Sequence, residues 1–472
     1  MGKHPGRLSM TKTTIVKKAA LVAGLLGLGY GIYYCWLSLP IATGYGAKVL
    51  GSALFVAGRK AEDIQAQELR FAPVHLVSHE INYQDSTVTS SLWGLAKRKA
   101  IFRQGLGTTL VRGLTEKEIR AQPRNLPVRP PLATDTLAWP AGDRIAYPLP
   151  ASVDTARLAA ALADVFQEND SIRIQTRAVV VLYRGQLVAE AYAPGFNRQT
   201  RLAGWSMAKS ITNALVGILV KQNKLQPDQP APVPEWQQAT DPRRAITIRH
   251  LLQQTSGLDF EEHYGKSSDA TRMLFQTADM GAYAASQPLL NPPGTVFQYT
   301  SGNSNILSRL IRHTVGEQDY HAFPYEQLFY KIGMYSALLE PDASGTFVGS
   351  SYSFATARDW ARFGLLYLND GVAGQERILP AGWVKQTTTP AAAAALGEYG
   401  FHFWLNAGAK NNPADRKFPS LPPDMFYANG VEGQNIFVIP SKKLVVVRLG
   451  LTRKGKYDAE TFLANILQSI PE

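Results

Sequence analysis

The sequence has one cysteine, Cys35, among 472 residues. That excludes an internal disulfide framework and any cluster of thiolate metal ligands. Its eight histidines are scattered without metal-ligand spacing, so neither a metal nor any other cofactor is expected. An excess of either sign of charge is missing over most of the chain. The formal net charge is +12, but most of it sits in the first 125 residues, and the remainder is close to neutral. A nucleic-acid protein more often carries a basic face on its main domain. None is legible here, and no nucleic-acid partner is expected. There is no internal repeat. Hydrophobic residues at 45% and charged residues at 18% suit a folded chain with a sizeable core.

From Ala19 to Ala47 charged residues are missing altogether. Residues 19–40 match the ~20 apolar residues that a bilayer-spanning helix needs. Lys12, Lys17 and Lys18 precede them, and Tyr33, Tyr34 and Trp36 sit near the far end as an interfacial belt would. The positive-inside rule then places the N-terminus in the cytoplasm and the body of the chain outside it, in a periplasm-like compartment. The competing reading is a cleaved signal peptide. The apolar stretch is long for that, and no small-x-small site follows. Ile32-Tyr33-Tyr34 is not a lipid-attachment signal, so Cys35 reads as a membrane-buried thiol.

Three regions follow: tail and anchor over 1–47, a membrane-proximal segment with a Pro-rich linker over 48–150, and a main domain over 151–472. The linker is marked by prolines from Pro123 to Pro150. In the main domain, Ser152 begins a helix with an apolar stripe through Leu158, Leu162 and Phe166. Residues 177–183 and 187–192 read as strands joined by a hairpin turn at Arg184-Gly185-Gln186. Two more strands, 435–439 and 444–449, and a helix over 459–468 end the chain. Strands at both ends with helices between them predict an α/β fold of the α+β type: one antiparallel sheet flanked by helices, with a helical subdomain.

Ser206-Met-Ala-Lys209 places a hydroxyl and an amine three residues apart, on one face of a helix. A serine hydroxyl is a poor nucleophile until a base takes its proton. A lysine buried at the start of an apolar helix is disfavoured in its charged form and suits that task. Spacing alone is a weak signal. Ser9-Met-Thr-Lys12 matches it by accident, and Ser206 as a plain helix cap with a solvated Lys209 is the ordinary alternative.

The context is more specific. Ser206-x-x-Lys209 resembles the first motif of the penicillin-recognising serine hydrolases. Residues 246–258 (ITIRHLLQQTSGL), 291–305 (NPPGTVFQYTSGNSN) and 349–368 (GSSYSFATARDWARFGLLYL) resemble stretches of its class C β-lactamase-related branch, in the same order. The resemblance covers about 150–472 and implies a β-lactamase/transpeptidase-like fold and an acyl-enzyme on Ser206. It assigns Tyr299-Thr300-Ser301 to the Tyr-x-Asn motif, with Ser301 in place of asparagine, as in the esterases and 6-aminohexanoate-oligomer hydrolases of that branch. Tyr299 would then shuttle the proton with Lys209. A rival register reads Ser301-Gly302-Asn303 as Ser-x-Asn. The family's Lys-Thr-Gly strand aligns with Ala428–Gly433, which holds neither lysine nor histidine. In β-lactamases and DD-peptidases that cation holds a substrate carboxylate, so its absence counts against penicillin or D-Ala-D-Ala recognition. Gly430 and Gly433 would let substrate approach the strand. The backbone N–H groups of Ser206 and Val431 would form the oxyanion hole.

Trp205 is a candidate pocket wall. Asp259, with Glu261 and Glu262 close by, is a candidate for a cationic substrate end, although such a run is more often solvated. The expected substrate is a small ester or amide. A β-lactamase or DD-peptidase and a catalytically silent binding protein of the same fold are the alternatives. The near match of residues 204–208 to an α/β-hydrolase elbow has only His402 as a late histidine and lacks the strand series around it. The sequence leaves the oligomeric state open.

Overall fold

The structure, a computed structural model, describes residues 12–130, 134–168, 174–453 and 457–471. The tail through Thr11, including Ser9, lies outside them. In chain order the elements begin with α1 (Lys12–Phe55), α2 (Ala61–Gln67), β1 (Ser78–Asn82), β2 (Thr87–Leu92), β3 (Leu95–Arg103), β4 (Gly107–Leu110), α3 (Glu116–Ala121) and α4 (Thr155–Val165). There follow β5 (Thr176–Tyr183), β6 (Gln186–Tyr192), β7 (Leu202–Ala203), α5 (Met207–Lys221), α6 (Ile248–Leu252), α7 (Asp269–Gln276), α8 (Met280–Ala285) and α9 (Ser301–Val315). The last part holds β8 (Leu338–Leu339), β9 (Ser353–Ala355), α10 (Ala357–Leu368), β10 (Val372–Ala373), β11 (Glu376–Arg377) and α11 (Trp383–Thr387). It closes with β12 (Trp404–Leu405), β13 (Phe426–Gly430), β14 (Gln434–Ile439), β15 (Leu444–Gly450) and α12 (Ala459–Leu467).

The main sheet has six antiparallel strands in the order β12-β13-β14-β15-β5-β6. The last strand of the chain pairs with the first of the domain, Val446 opposite Val181, so the sheet is closed from both ends. Residues 178–183 are apolar without alternation because both faces are covered. Val179 and Val181 meet Leu158, Leu162, Leu463 and Ile466 on one side; Ala178, Val180 and Leu182 join the core containing Trp360 and Phe363 on the other. The β5–β6 turn needs two left-handed residues. Arg184 (φ 52) and Gly185 (φ 77) supply them. Asp154, not Ser152, caps α4, its carboxylate accepting from Arg157 N.

The N-terminal half of the chain is more integrated than the sequence suggests. Side chains from Lys17 to Trp36 on α1 are exposed, but those of residues 46–50 are buried against the rest of the protein. Beyond α1, residues 78–110 form a four-stranded antiparallel sheet, β1-β2-β3-β4, packed along that helix. The Pro-rich segment does not hang free either. Trp139 is buried and its indole donates to Gly185 O, while Arg358 and Arg362 bond the backbone and carboxylate of Asp143.

Candidate active site

The chain reaches Ser206 through a strained elbow. Gly204 N–H donates to Ser353 O at 2.8 Å, and Trp205 adopts φ 47, a left-handed conformation unusual for a bulky residue. Two glycines permit this geometry. A Cβ on Gly204 would lie 2.4 Å from the Trp360 ring, and one on Gly430 would lie 2.2 Å from Gly204 O. The end of β13 therefore presses directly on the elbow, backbone to backbone.

Ser206 precedes α5, a helix buried from Met207 to Leu219, but its hydroxyl makes no capping bond. It instead accepts from Lys209 Nζ at 3.2 Å. Lys209 is 1% exposed. Its Nζ also donates to Ser301 Oγ at 3.1 Å and Ser350 O at 3.2 Å, and lies 4.8 Å from the centroid of the Tyr299 ring. The serine-lysine pair is thus sheltered and in contact. Tyr299 stacks on Trp404 with centroids 5.3 Å apart and meets Tyr399 edge-on at 5.9 Å, so an aromatic wall covers the amine.

Ser301 begins α9 and is fully buried. Both its backbone N–H and its hydroxyl donate to Glu262, at 2.8 and 2.6 Å, and Tyr264 donates to the same carboxylate at 2.6 Å. Burial of the Tyr264 hydroxyl, with the Glu262 charge beside it, pushes the phenol well above its ordinary value. Asn303, the other half of the rival register, turns away: it bonds Gln254 and Ser256. Among the three carboxylates after Leu258, the one joined to the site is Glu262. Asp259 is exposed. Three acidic residues in one loop carry no pattern that would select among them.

Val431, 53% exposed, follows Gly430 at the end of β13. Gly433 (φ 83) belongs to the β13–β14 turn and sits against Arg448, to which its carbonyl accepts at 2.9 Å. Its glycine character thus answers to the turn and the guanidinium. Glu432 between them is held by Arg453 at 2.7 Å, with burial raising its carboxyl and the guanidinium opposing that rise.

His402 is not paired with Ser206; both of its ring nitrogens are engaged elsewhere. Its Nδ1 lies 3.0 Å from Lys209 O, which can only accept, so Nδ1 carries the proton. Nε2 then accepts from Ser304 Oγ at 3.2 Å. Burial, with Lys209 nearby, lowers the ring to about 3 and keeps it neutral. It props the backbone of the lysine from beneath.

Trp205, beside Ser206, leans on the N-terminal helix. Trp205 stacks on Tyr45 of α1 and meets Tyr352 at 6.3 Å. A cavity behind Trp205 is lined by Lys48, Arg59, Arg177, Tyr352 and Glu432. Ser206 and Lys209 do not line it, so it neighbours the catalytic crevice without being it. Nothing in the sequence pairs Tyr45 with Trp205, since 160 positions separate them.

The Beta-lactamase family model matches residues 160–467. A 6-aminohexanoate-dimer hydrolase of Paenarthrobacter ureafaciens is 25% identical over 303 residues, covering 58% of this chain and 72% of that protein. Two solved structures share the fold. A family VIII carboxylesterase superposes with a TM-score of 0.53 at 15% identity, covering 69% of this chain and 98% of the other. A penicillin-binding protein homologue from Caulobacter crescentus gives 0.52 at 15% identity, covering 69% and 99%. With a family match over more than half its length and a sheltered Ser-x-x-Lys pair at the head of a buried helix, the chain belongs to the β-lactamase family of serine hydrolases.

Proposed function

We propose that this protein cleaves an ester or a small amide through an acyl-enzyme on Ser206. The observation behind this reading is the 3.2 Å contact between Lys209 Nζ and Ser206 Oγ inside a buried network. With the amine neutral, the same contact runs the other way, from hydroxyl to nitrogen. Ser206 Oγ attacks the substrate carbonyl carbon and its proton passes to Nζ. The N–H groups of Ser206 and Val431 hold the oxyanion, a reading supported by the close approach of Gly430 to Gly204. Tyr299 relays the proton to the departing alcohol or amine. Water then attacks the acyl carbon, gives its proton to the same base, and releases the acid.

The amide part of the substrate class is drawn from the relative named as a 6-aminohexanoate-dimer hydrolase, since an amine and a carboxylic acid join through an amide. Residues 428–433 offer no lysine or histidine for a penicillin carboxylate. We further read α1 as an uncleaved anchor over 19–40, with the N-terminus cytoplasmic and the hydrolase domain on the far side. Its apolar side chains are exposed as far as Trp36, and Lys17 and Lys18 precede them.

A fluorophosphonate probe on the full-length protein tests the acyl-enzyme. It should label wild type and leave Ser206→Ala unlabelled; an unlabelled, folded wild type supports a silent binding protein. A screen of p-nitrophenyl esters, short linear amides and a chromogenic cephalosporin tests the substrate class. Turnover of the cephalosporin above the esters and amides overturns it.

A further inference from the structure

β3 runs beside α1 in the same direction as the helix. Near the start of the strand, Ala96 O accepts from Thr43 Oγ1 at 2.6 Å. Four residues on, Ala100 lies against Gly51, where an added Cβ would be 3.7 Å from its own. Four strand residues rise ~13 Å and eight helical residues ~12 Å, so the two elements keep step. Extrapolated back from Ala96, the β2–β3 turn at Trp93-Gly94 comes level with about Leu37. That is where α1 passes from exposed apolar side chains to buried ones.

The turn itself is apolar and open. Trp93 is 79% exposed and Leu95 is 59% exposed. Left-handed backbone at Trp93 (φ 51), Gly94 (φ 77) and Ala96 (φ 47) makes it tight and projecting. Basic groups flank it. Lys97 is exposed, Arg98 follows, and Arg112 bonds Gln276 O while the Gln276 side chain donates to Leu37 O. Arg112 is thereby tied to the same level of α1. An exposed tryptophan and leucine on a turn, rimmed by cations and aligned with the end of an apolar helix, match what a bilayer presents: hydrocarbon below, phosphates above.

We propose that the Trp93–Leu95 turn dips into the headgroup region of the bilayer that α1 crosses, with Lys97, Arg98 and Arg112 beside the lipid phosphates. This rests on reading α1 as an anchor. A lone helix leaves a domain free to rotate at the membrane surface; a second contact fixes its orientation, and with it the direction in which the Ser206 crevice opens.

The test uses full-length protein in phosphatidylcholine/phosphatidylglycerol vesicles, in a Cys35→Ser background. An environment-sensitive fluorophore is placed at Trp93→Cys, at Leu26→Cys in the anchor, or at Tyr83→Cys in the turn at the other end of β2. The expected result is a blue shift at 93 with loss of emission when lipids carry a headgroup-level nitroxide. Position 26 should respond to a deep nitroxide, and position 83 to neither. Water-like emission at 93 with deep quenching at 26 leaves the anchor standing and overturns the inference. Water-like emission at 26 overturns the anchor reading and the inference with it.

Discussion

Tyr45 and Trp205 stack with ring centroids 6.4 Å apart and planes 7° from parallel. One comes from the N-terminal helix, the other immediately precedes Ser206, the proposed nucleophile. The left-handed backbone at Trp205 is therefore braced by a part of the chain that the sequence assigns to a membrane anchor. Tyr45→Ala should lower kcat/KM roughly tenfold, because small misplacements of a nucleophile are costly. Tyr45→Phe, which keeps the stack, should stay near wild type. Steady-state kinetics on both variants checks this, and equal activity in Tyr45→Ala would remove the bracing role.

Lys48 and Glu340 form an ion pair at 2.6 Å, with side-chain exposures of 3% and 0%. Ser52 and Thr108 N complete the bonds to the carboxylate. Lys48→Met leaves that carboxylate buried without its cation and should cost about 3–5 kcal/mol. Adding Glu340→Gln should recover part of the loss. A fragment beginning after α1, such as 126–472, loses the lysine and the β1–β4 sheet together. It should express as an aggregate or denature at much lower urea than the whole chain.

Tyr299→Phe retains the ring over Lys209 and loses only the hydroxyl. If that hydroxyl relays the proton, kcat should fall about 100-fold or more. Ser301→Ala breaks the bridge between Lys209 and Glu262 and should cost less, about tenfold. A larger loss in Ser301→Ala than in Tyr299→Phe transfers the relay to the serine, as the rival register would have it.

Gly430→Ala puts a methyl 2.2 Å from Gly204 O, a backbone atom that cannot rotate away. The variant should lose nearly all hydrolysis, with a stability loss of about 1–3 kcal/mol. Probe labelling with a normal rate would show that β13 does not shape the oxyanion site.

His402 titrates at about 3 in the folded protein, below an imidazole's ordinary value. As pH falls below that ordinary value, the unfolded chain takes up a proton that the folded one refuses. This contribution to stability is fully present above pH ~6.5 and is lost as pH drops toward 3, with about 3 kcal/mol of it gone by pH 4. Denaturation midpoints at pH 7 and pH 4 should therefore differ less in His402→Asn than in wild type. An equal difference in both would dissociate His402 from the acid sensitivity.

Short-range features were legible because they are written in adjacent residues. The unbroken apolar run of β5, the Arg184-Gly185 turn and the terminal helix at 459–467 all follow from local propensity and two-sided burial. Contacts between distant segments were not legible. The Pro-rich stretch reads as a spacer, yet Arg358 and Arg362 strap it down. Loop composition led to Asp259, and only the course of the loop brings Glu262 instead to Ser301.

The sequence by itself determined the chemistry on offer: a serine and an amine one helical turn apart, heading an apolar helix, in the motif order of one family. Tertiary structure alone decided what surrounds them. It joined Glu262 to Ser301, set neutral His402 beneath the lysine, and leaned the N-terminal helix on the residue beside Ser206. The physical reason is range. Helical spacing is fixed by bonds and hydrogen bonds a few residues long, whereas the environment that sets reactivity is packed from side chains hundreds of residues apart.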